Sequence, residues 1–166
     1  MKHNQNVLFD KLRLVDAAFR AADEGKLLGV TQFLEYQFSL SDLFDADGRT
    51  LLCRLCRGAA NIADKDDDAT VQEVVKKLIE MGTDVNVRDR FGNTCLHYAL
   101  AAVPKRNLGT FLIEAGADDL IENNVEQTAY DGIGEASLAS CKEEEETTEE
   151  SSAIVVASTK TIRNNN

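Results

Sequence analysis

A chain of 166 residues fits one domain plus a tail, with 43% apolar residues for a core but only 6% aromatic and no Trp. The net charge of −11 argues against nucleic-acid binding through phosphates and against adhesion to anionic membranes, since both need clustered Lys and Arg. No apolar run approaches the roughly 18 residues of a membrane span. Residues 1–6 lead into a charged amphipathic stretch with no signal-peptide core. Four Cys without a dense framework fit reduced thiols. The expectation is a soluble protein of the cytoplasm, the nucleus or both.

Leu8, Leu12, Val15, Phe19 and Ala22 step by four and three, which predicts a helix with one apolar stripe. Gly25 interrupts it, and Leu27, Val30, Phe33 and Leu34 predict a second helix. Lys11, Arg13, Asp16 and Arg20 are expected to face water, and His3 to lie in a frayed end. Gln37 stands where later units carry a helix-ending glycine, so the turn toward Asp45 is expected to be irregular.

Asp45-Ala46-Asp47-Gly48-Arg49-Thr50 is an Asp-x-x-Gly-x-Thr turn, followed by a helix holding Leu51, Leu52, Leu55 and Cys56. Val71, Val74, Val75, Leu78 and Ile79 predict its partner helix, with Thr70-x-x-Glu73 as a capping box at the start. Gly48 and Gly92 are 44 residues apart, about ten more than the spacing seen later, and the surplus falls near 58–68.

The same turn returns at Asp89-Arg90-Phe91-Gly92-Asn93-Thr94, feeding Cys95-Leu96-His97-Tyr98-Ala99. Phe111-Leu112-Ile113-Glu114-Ala115 then reads as a second helix closed by Gly116. Pro104 lies in the connection, and Gly109 weakens the second helix by about 1 kcal/mol relative to Ala. Gly82 and Gly116 are 34 apart, each preceded by a Leu-Ile pair, and Thr94 and Thr128 are 34 apart as well. A fourth unit opens at Asn123 with Glu126 in the glycine position and stops after Gly132-Ile133-Gly134.

This pattern resembles the ankyrin repeat, whose signature is Thr-Pro-Leu-His-x-Ala at a period of about 33 residues. Thr94, Leu96, His97 and Ala99 match it, while Cys95 replaces the proline. The resemblance implies an all-α solenoid of about three full repeats plus a partial C-terminal cap. Its expected divisions are an N-terminal extension over 1–11 and repeats over 12–44, 45–88 with an inserted loop, and 89–122. A partial cap over 123–140 and a disordered acidic tail over 141–166 complete the chain. The first repeat is expected to be polar on the side where nothing stacks.

Cys53-Arg54-Leu55-Cys56 has the spacing of a redox pair or half a zinc site, but the repeat register makes both core residues. Cys95 and His97 sit two apart at a helix start, a poor geometry for a nucleophile and its base. The resemblance makes His97 a structural residue that bridges turns. Asp64-Lys65-Asp66-Asp67-Asp68 opens like a calcium loop, then fails at Ala69 and Val75, leaving a solvated acidic loop. Asn86 resembles ankyrin asparagines that a 2-oxoglutarate-dependent hydroxylase can modify, with turn stabilisation as the simpler role. No catalytic residue, cofactor or metal is expected.

Residues 142–150 carry six Glu, and Ala153-Ile154-Val155-Val156-Ala157 follows. Such a tail buries too little apolar area to offset its ordering entropy. Ile154-Val155-Val156 behind acidic, hydroxyl-rich residues resembles a SUMO-interacting motif, in which a short strand adds to a sheet edge. Thr147, Thr148, Ser151 and Ser152 beside Glu suit an acid-directed kinase.

The leading expectation is a protein-interaction module, monomeric outside any complex, that binds through turn tips and the exposed face of its first helices. Arg49, Arg54 and Arg57 in the second repeat, Arg88, Arg90, Phe91 and Tyr98 in the third, and Asn124, Glu126 and Gln127 in the fourth are the candidate contacts. Arg, Tyr and Phe are enriched at interface centres, and this basic-aromatic strip suits an acidic or phosphorylated protein segment. The alternative makes the acidic tail with Ile154-Val155-Val156 the recognition element. An enzyme with cryptic activity ranks last, because no nucleophile–base pair, phosphate loop or metal constellation stands in the sequence.

Overall fold

The computed structural model describes residues 2–36, 43–62, 68–102, 107–133 and 155–156. Within them the protein is mostly helical. The helices are α1 (Lys2–Asp23), α2 (Leu27–Leu34), α3 (Leu51–Gly58), α4 (Asp68–Glu80), α5 (Cys95–Ala102) and α6 (Leu108–Glu114). A 3-10 turn (Ala59–Asn61) extends α3, and two short strands, β1 (Leu43–Phe44) and β2 (Val155–Val156), pair with each other.

The apolar stripes decide the packing. Val15, Phe19 and Ala22 of α1 are buried, as are Val30, Phe33 and Leu34 of α2 and Leu51, Leu52, Leu55 and Cys56 of α3. Each helix therefore has one dry side and needs a neighbour. α3 lies between α1 and α5, forming one layer. α4 contacts both α2 and α6, forming a second layer. The core runs between the layers, through Val74, Val75, Leu78, Leu96, Ala99 and Leu112.

Close approach requires small residues at helix contacts, Gly58 and Gly109 among them. A Cβ on Gly58 of α3 would come within 2.1 Å of the Ala22 carbonyl oxygen of α1. A Cβ on Gly109 of α6 would meet Leu100 Cδ2 at 2.5 Å. Gly109 thus lowers helix propensity but lets α6 lie against α5.

Turn chemistry repeats three times. Asp45 Oδ1 accepts from the amides of Asp47 and Arg49 at 2.8 Å each. Asp89 Oδ1 accepts from Phe91 and Asn93 at 2.9 Å each, and Asn123 Oδ1 accepts from Val125 and Gln127 at 3.0 and 3.1 Å. The fourth residue of each turn has positive φ: Gly48 at 77°, Gly92 at 80° and Glu126 at 60°. The Glu at this position is held in a conformation that favours glycine.

Several details depart from the sequence reading. α1 begins at Lys2, so it runs through the expected extension over 1–11. Residues 2–7 contain no Gly or Pro, so a helix nucleated by the packed stripe continues through them. α4 begins at Asp68, which puts Thr70 inside the helix rather than at its cap and removes the capping box. The acidic loop over 64–67 and the irregular turn near Gln37 lie outside the described residues. So does the expected tail disorder, except that Val155–Val156 takes strand form.

Candidate functional site

The three turns form a row joined by backbone hydrogen bonds. The Arg90 amide donates to the Asp47 carbonyl at 2.8 Å, and the Asn124 amide donates to the Phe91 carbonyl at 2.9 Å. Asn124 Nδ2 adds a bond to the Arg90 carbonyl at 2.9 Å, while Arg88 Nη2 reaches Asn124 Oδ1 at 3.4 Å. A Cβ on Gly92 would lie 2.7 Å from the Asn124 amide nitrogen. The backbones of neighbouring turns therefore touch, and their tips share one edge of the molecule.

Beneath that row lies a charged interior network. Arg49 is fully buried, with Nη1 2.7 Å from Asp47 Oδ2 and Nε 3.3 Å from Asp89 Oδ2. Its guanidinium carbon lies 5.7 Å from the centroid of Phe91 and 5.5 Å from that of Tyr98. Burial opposes the Arg49 charge, but Tyr98, Asp47 and Asp45 outweigh it and hold its pKa above the ordinary value. Tyr98 Oη donates to Asp89 Oδ2, and burial followed by that bond pushes the phenol up. Asn93 extends the network to the Ile133 carbonyl at 3.4 Å and accepts from Asn123 Nδ2 at 2.9 Å.

Arg49 and Tyr98, expected on the exposed strip, are therefore interior residues that set the turns. Buried carboxylates need a counter-ion and hydrogen-bond donors: Arg49 supplies the charge for Asp47 and Asp89, and the neutral Tyr98 phenol donates to Asp89. Arg54 and Arg57 are half-buried as well. Arg54 bridges Asp23 and Asp45, and Arg57 Nε lies 3.1 Å from Asp23 Oδ1, so both tie α3 to the end of α1. Gln127 is also half-buried. At the surface remain Arg88, Arg90, Asn124 and Glu126, with Phe91 partly exposed.

Arg90 is the most developed of these. Its side chain is 56% exposed, its Nη1 bonds Asp47 Oδ1 at 2.8 Å, and its guanidinium carbon lies 4.7 Å from the centroid of the Phe91 ring. Both contacts hold the guanidinium at the tip. Sequence reasoning missed Val125, 60% exposed beside Asn124. A β-branched apolar residue at a turn tip, where polar residues are usual, was the available signal.

His97 holds the turns from within. Its Nδ1 accepts from the Thr94 amide at 3.2 Å, and Nε2 lies 3.1 Å from the Gln127 carbonyl of the next turn. Those partners fix the neutral Nε2–H tautomer, and burial lowers the His97 pKa. Asp131, 34 residues on, repeats the bond within the turn, accepting from the Thr128 amide at 2.9 Å and hydroxyl at 2.7 Å. Asn86 joins the loops after α4 and α6, donating to the Gly116 carbonyl at 3.1 Å and accepting from the Asp118 amide at 2.9 Å. Turn bridging, expected for both residues, is what they do.

The three cysteines among the described residues belong to the core. Cys53, Cys56 and Cys95 are buried free thiols. Burial raises the Cys53 pKa, and the hydrogen bond with Cys56 together with burial raises that of Cys95. Cys95 Sγ donates to the Val85 carbonyl at 3.2 Å, so it is committed elsewhere than to His97. Among the described residues, no group of three or more His, Cys, Asp or Glu could hold a metal ion, and no helix is long and apolar enough to cross a membrane.

Helical hairpins in two layers, joined by turns that repeat the same hydrogen bonds, define a helical repeat protein. Residues 69–102 match the family model for ankyrin repeats (many copies), spanning α4, the Asp89 turn and α5. This stretch is therefore an ankyrin-repeat segment, and it contains the Thr94–Ala99 signature. No curated protein matches it. Ankyrin repeats serve in general as protein-interaction modules.

Proposed function

We propose that this chain is a non-enzymatic adaptor: an ankyrin solenoid that binds a protein partner through its row of turn tips. Arg88, Arg90, Phe91, Asn124, Val125 and Glu126 are the contact residues. The observation that carries this reading is the coupling of the turns by the Arg90–Asp47 and Phe91–Asn124 backbone bonds. It makes one preorganised edge from separate repeats, with its charges balanced from below by Arg49. Preorganisation reduces the ordering cost of binding. The pairing of Arg90 with Phe91 suits an acidic or phosphorylated peptide segment, because a guanidinium forms charge-assisted bonds with carboxylate or phosphate.

Affinity capture with the full chain and with an Arg90→Glu/Val125→Glu variant tests this. Both side chains are exposed, so the variant is expected to fold, with partner recovery falling at least tenfold. Full recovery by a folded variant would rule the reading out. A second reading gives recognition to the tail, and one observation favours it: Val155–Val156 is already in the extended form a strand ligand needs. Capture that survives the tip variant and disappears with Val155→Pro/Val156→Pro would select that reading.

A further inference from the structure

β1 and β2 form a two-stranded antiparallel sheet in which Leu43 faces Val156 and Phe44 faces Val155. Leu43 is buried, so β1 is anchored to the core and leads directly into the Asp45 turn. β2 comes from the far end of the sequence. A two-residue strand offers few backbone bonds, and such a pairing is marginal on its own. What sustains it is tethering, since residues 134–154 connect β2 to the last turn and raise its effective concentration.

We propose that the Leu43–Phe44 edge is a strand-addition site for an extended peptide with adjacent β-branched residues, occupied in cis by Val155–Val156. Main-chain bonds supply the attraction in strand addition, and alternate side chains supply the selectivity. Adjacent valines suit this mode because β-branched side chains favour the extended backbone. The consequence is competition: an external strand must displace the tail before it can pair with β1. This inference is independent of the turn-tip reading, because it uses different residues and a different kind of contact.

The test uses the full chain and a full-length Val155→Pro/Val156→Pro variant. Proline has no N–H to donate to a ladder, so the variant should free the edge. The probe is a fluorescein-labelled synthetic peptide covering residues 150–160. Anisotropy titration is expected to show the peptide binding the proline variant at least tenfold more tightly than the natural chain. Amide exchange at Leu43 and Phe44 should also be faster in the proline variant when no peptide is present. A peptide carrying the same two prolines should not bind. Equal affinity for both proteins, or none for the proline variant, would overturn the proposal. A natural chain that dimerises through its tail in light scattering would overturn the cis arrangement. Peptide binding should persist in the Arg90→Glu/Val125→Glu variant, so failure of the turn-tip reading and failure of this one give different results.

Discussion

Arg49 Nε and Tyr98 Oη lie 3.3 Å apart inside the protein, one from the Asp45 turn and the other from α5. Both contact Asp89 Oδ2, so one carboxylate oxygen collects a guanidinium and a phenol from two repeats. The repeat interface is consequently electrostatic as well as apolar.

Truncating this network is expected to be costly. Arg49→Ala leaves Asp89 buried without its counter-ion and Asp47 with Arg90 alone, a loss of about 3–5 kcal/mol. Tyr98→Phe removes only the hydroxyl and should cost about 1–3 kcal/mol. The two changes should be non-additive because they share Asp89. Denaturant unfolding of the singles and the double measures this.

Glu126 occupies a left-handed position that Gly48 and Gly92 fill in the other turns. Glu126→Gly is expected to relieve a backbone cost of about 1 kcal/mol, partly offset by the greater freedom of glycine when unfolded. A higher urea midpoint with an unchanged slope is the expected result.

Gly58 sits where a Cβ would strike the Ala22 carbonyl. Gly58→Ala should destabilise by about 1–3 kcal/mol through overpacking, although alanine favours a helix elsewhere. Unfolding of this variant, compared with Gly82→Ala where the added Cβ meets nothing within 4 Å, separates contact from backbone conformation.

His97 links stability to pH. Its folded pKa lies below the ordinary 6.5. The contribution of neutral His97 is therefore complete above about pH 6.5 and is lost as pH falls toward the folded value. Protonation at Nδ1 would also cost the bond from the Thr94 amide. Unfolding midpoints should drop between pH 7.5 and pH 5.5, and His97→Gln should reduce that slope.

Much of the architecture is legible in the sequence because it rests on periodicity. The 34-residue spacing of Gly82 with Gly116 and of Thr94 with Thr128 locates turns and helix ends without any tertiary information. Burial within a turn is harder to read. Arg49 and Arg90 both belong to Asp-x-x-Gly turns, yet Arg49, after the glycine, points inward to meet Asp89, while Arg90, directly after Asp89, points outward over Phe91. The buried partner of Arg49, Asp89, belongs to the neighbouring repeat. The pairing of β1 with β2 is equally non-local, joining residues more than a hundred positions apart. A cue for Val125 was present, but a single apolar residue in a turn carries little weight until its exposure is known.

The most direct test of the central claim is hydrogen–deuterium exchange on the full chain, alone and bound to its captured partner. The account predicts slower exchange over residues 88–92 and 123–127, with α2, α4 and α6 unchanged. Protection confined to those second-layer helices, with the turn tips exchanging as in the free chain, would contradict it.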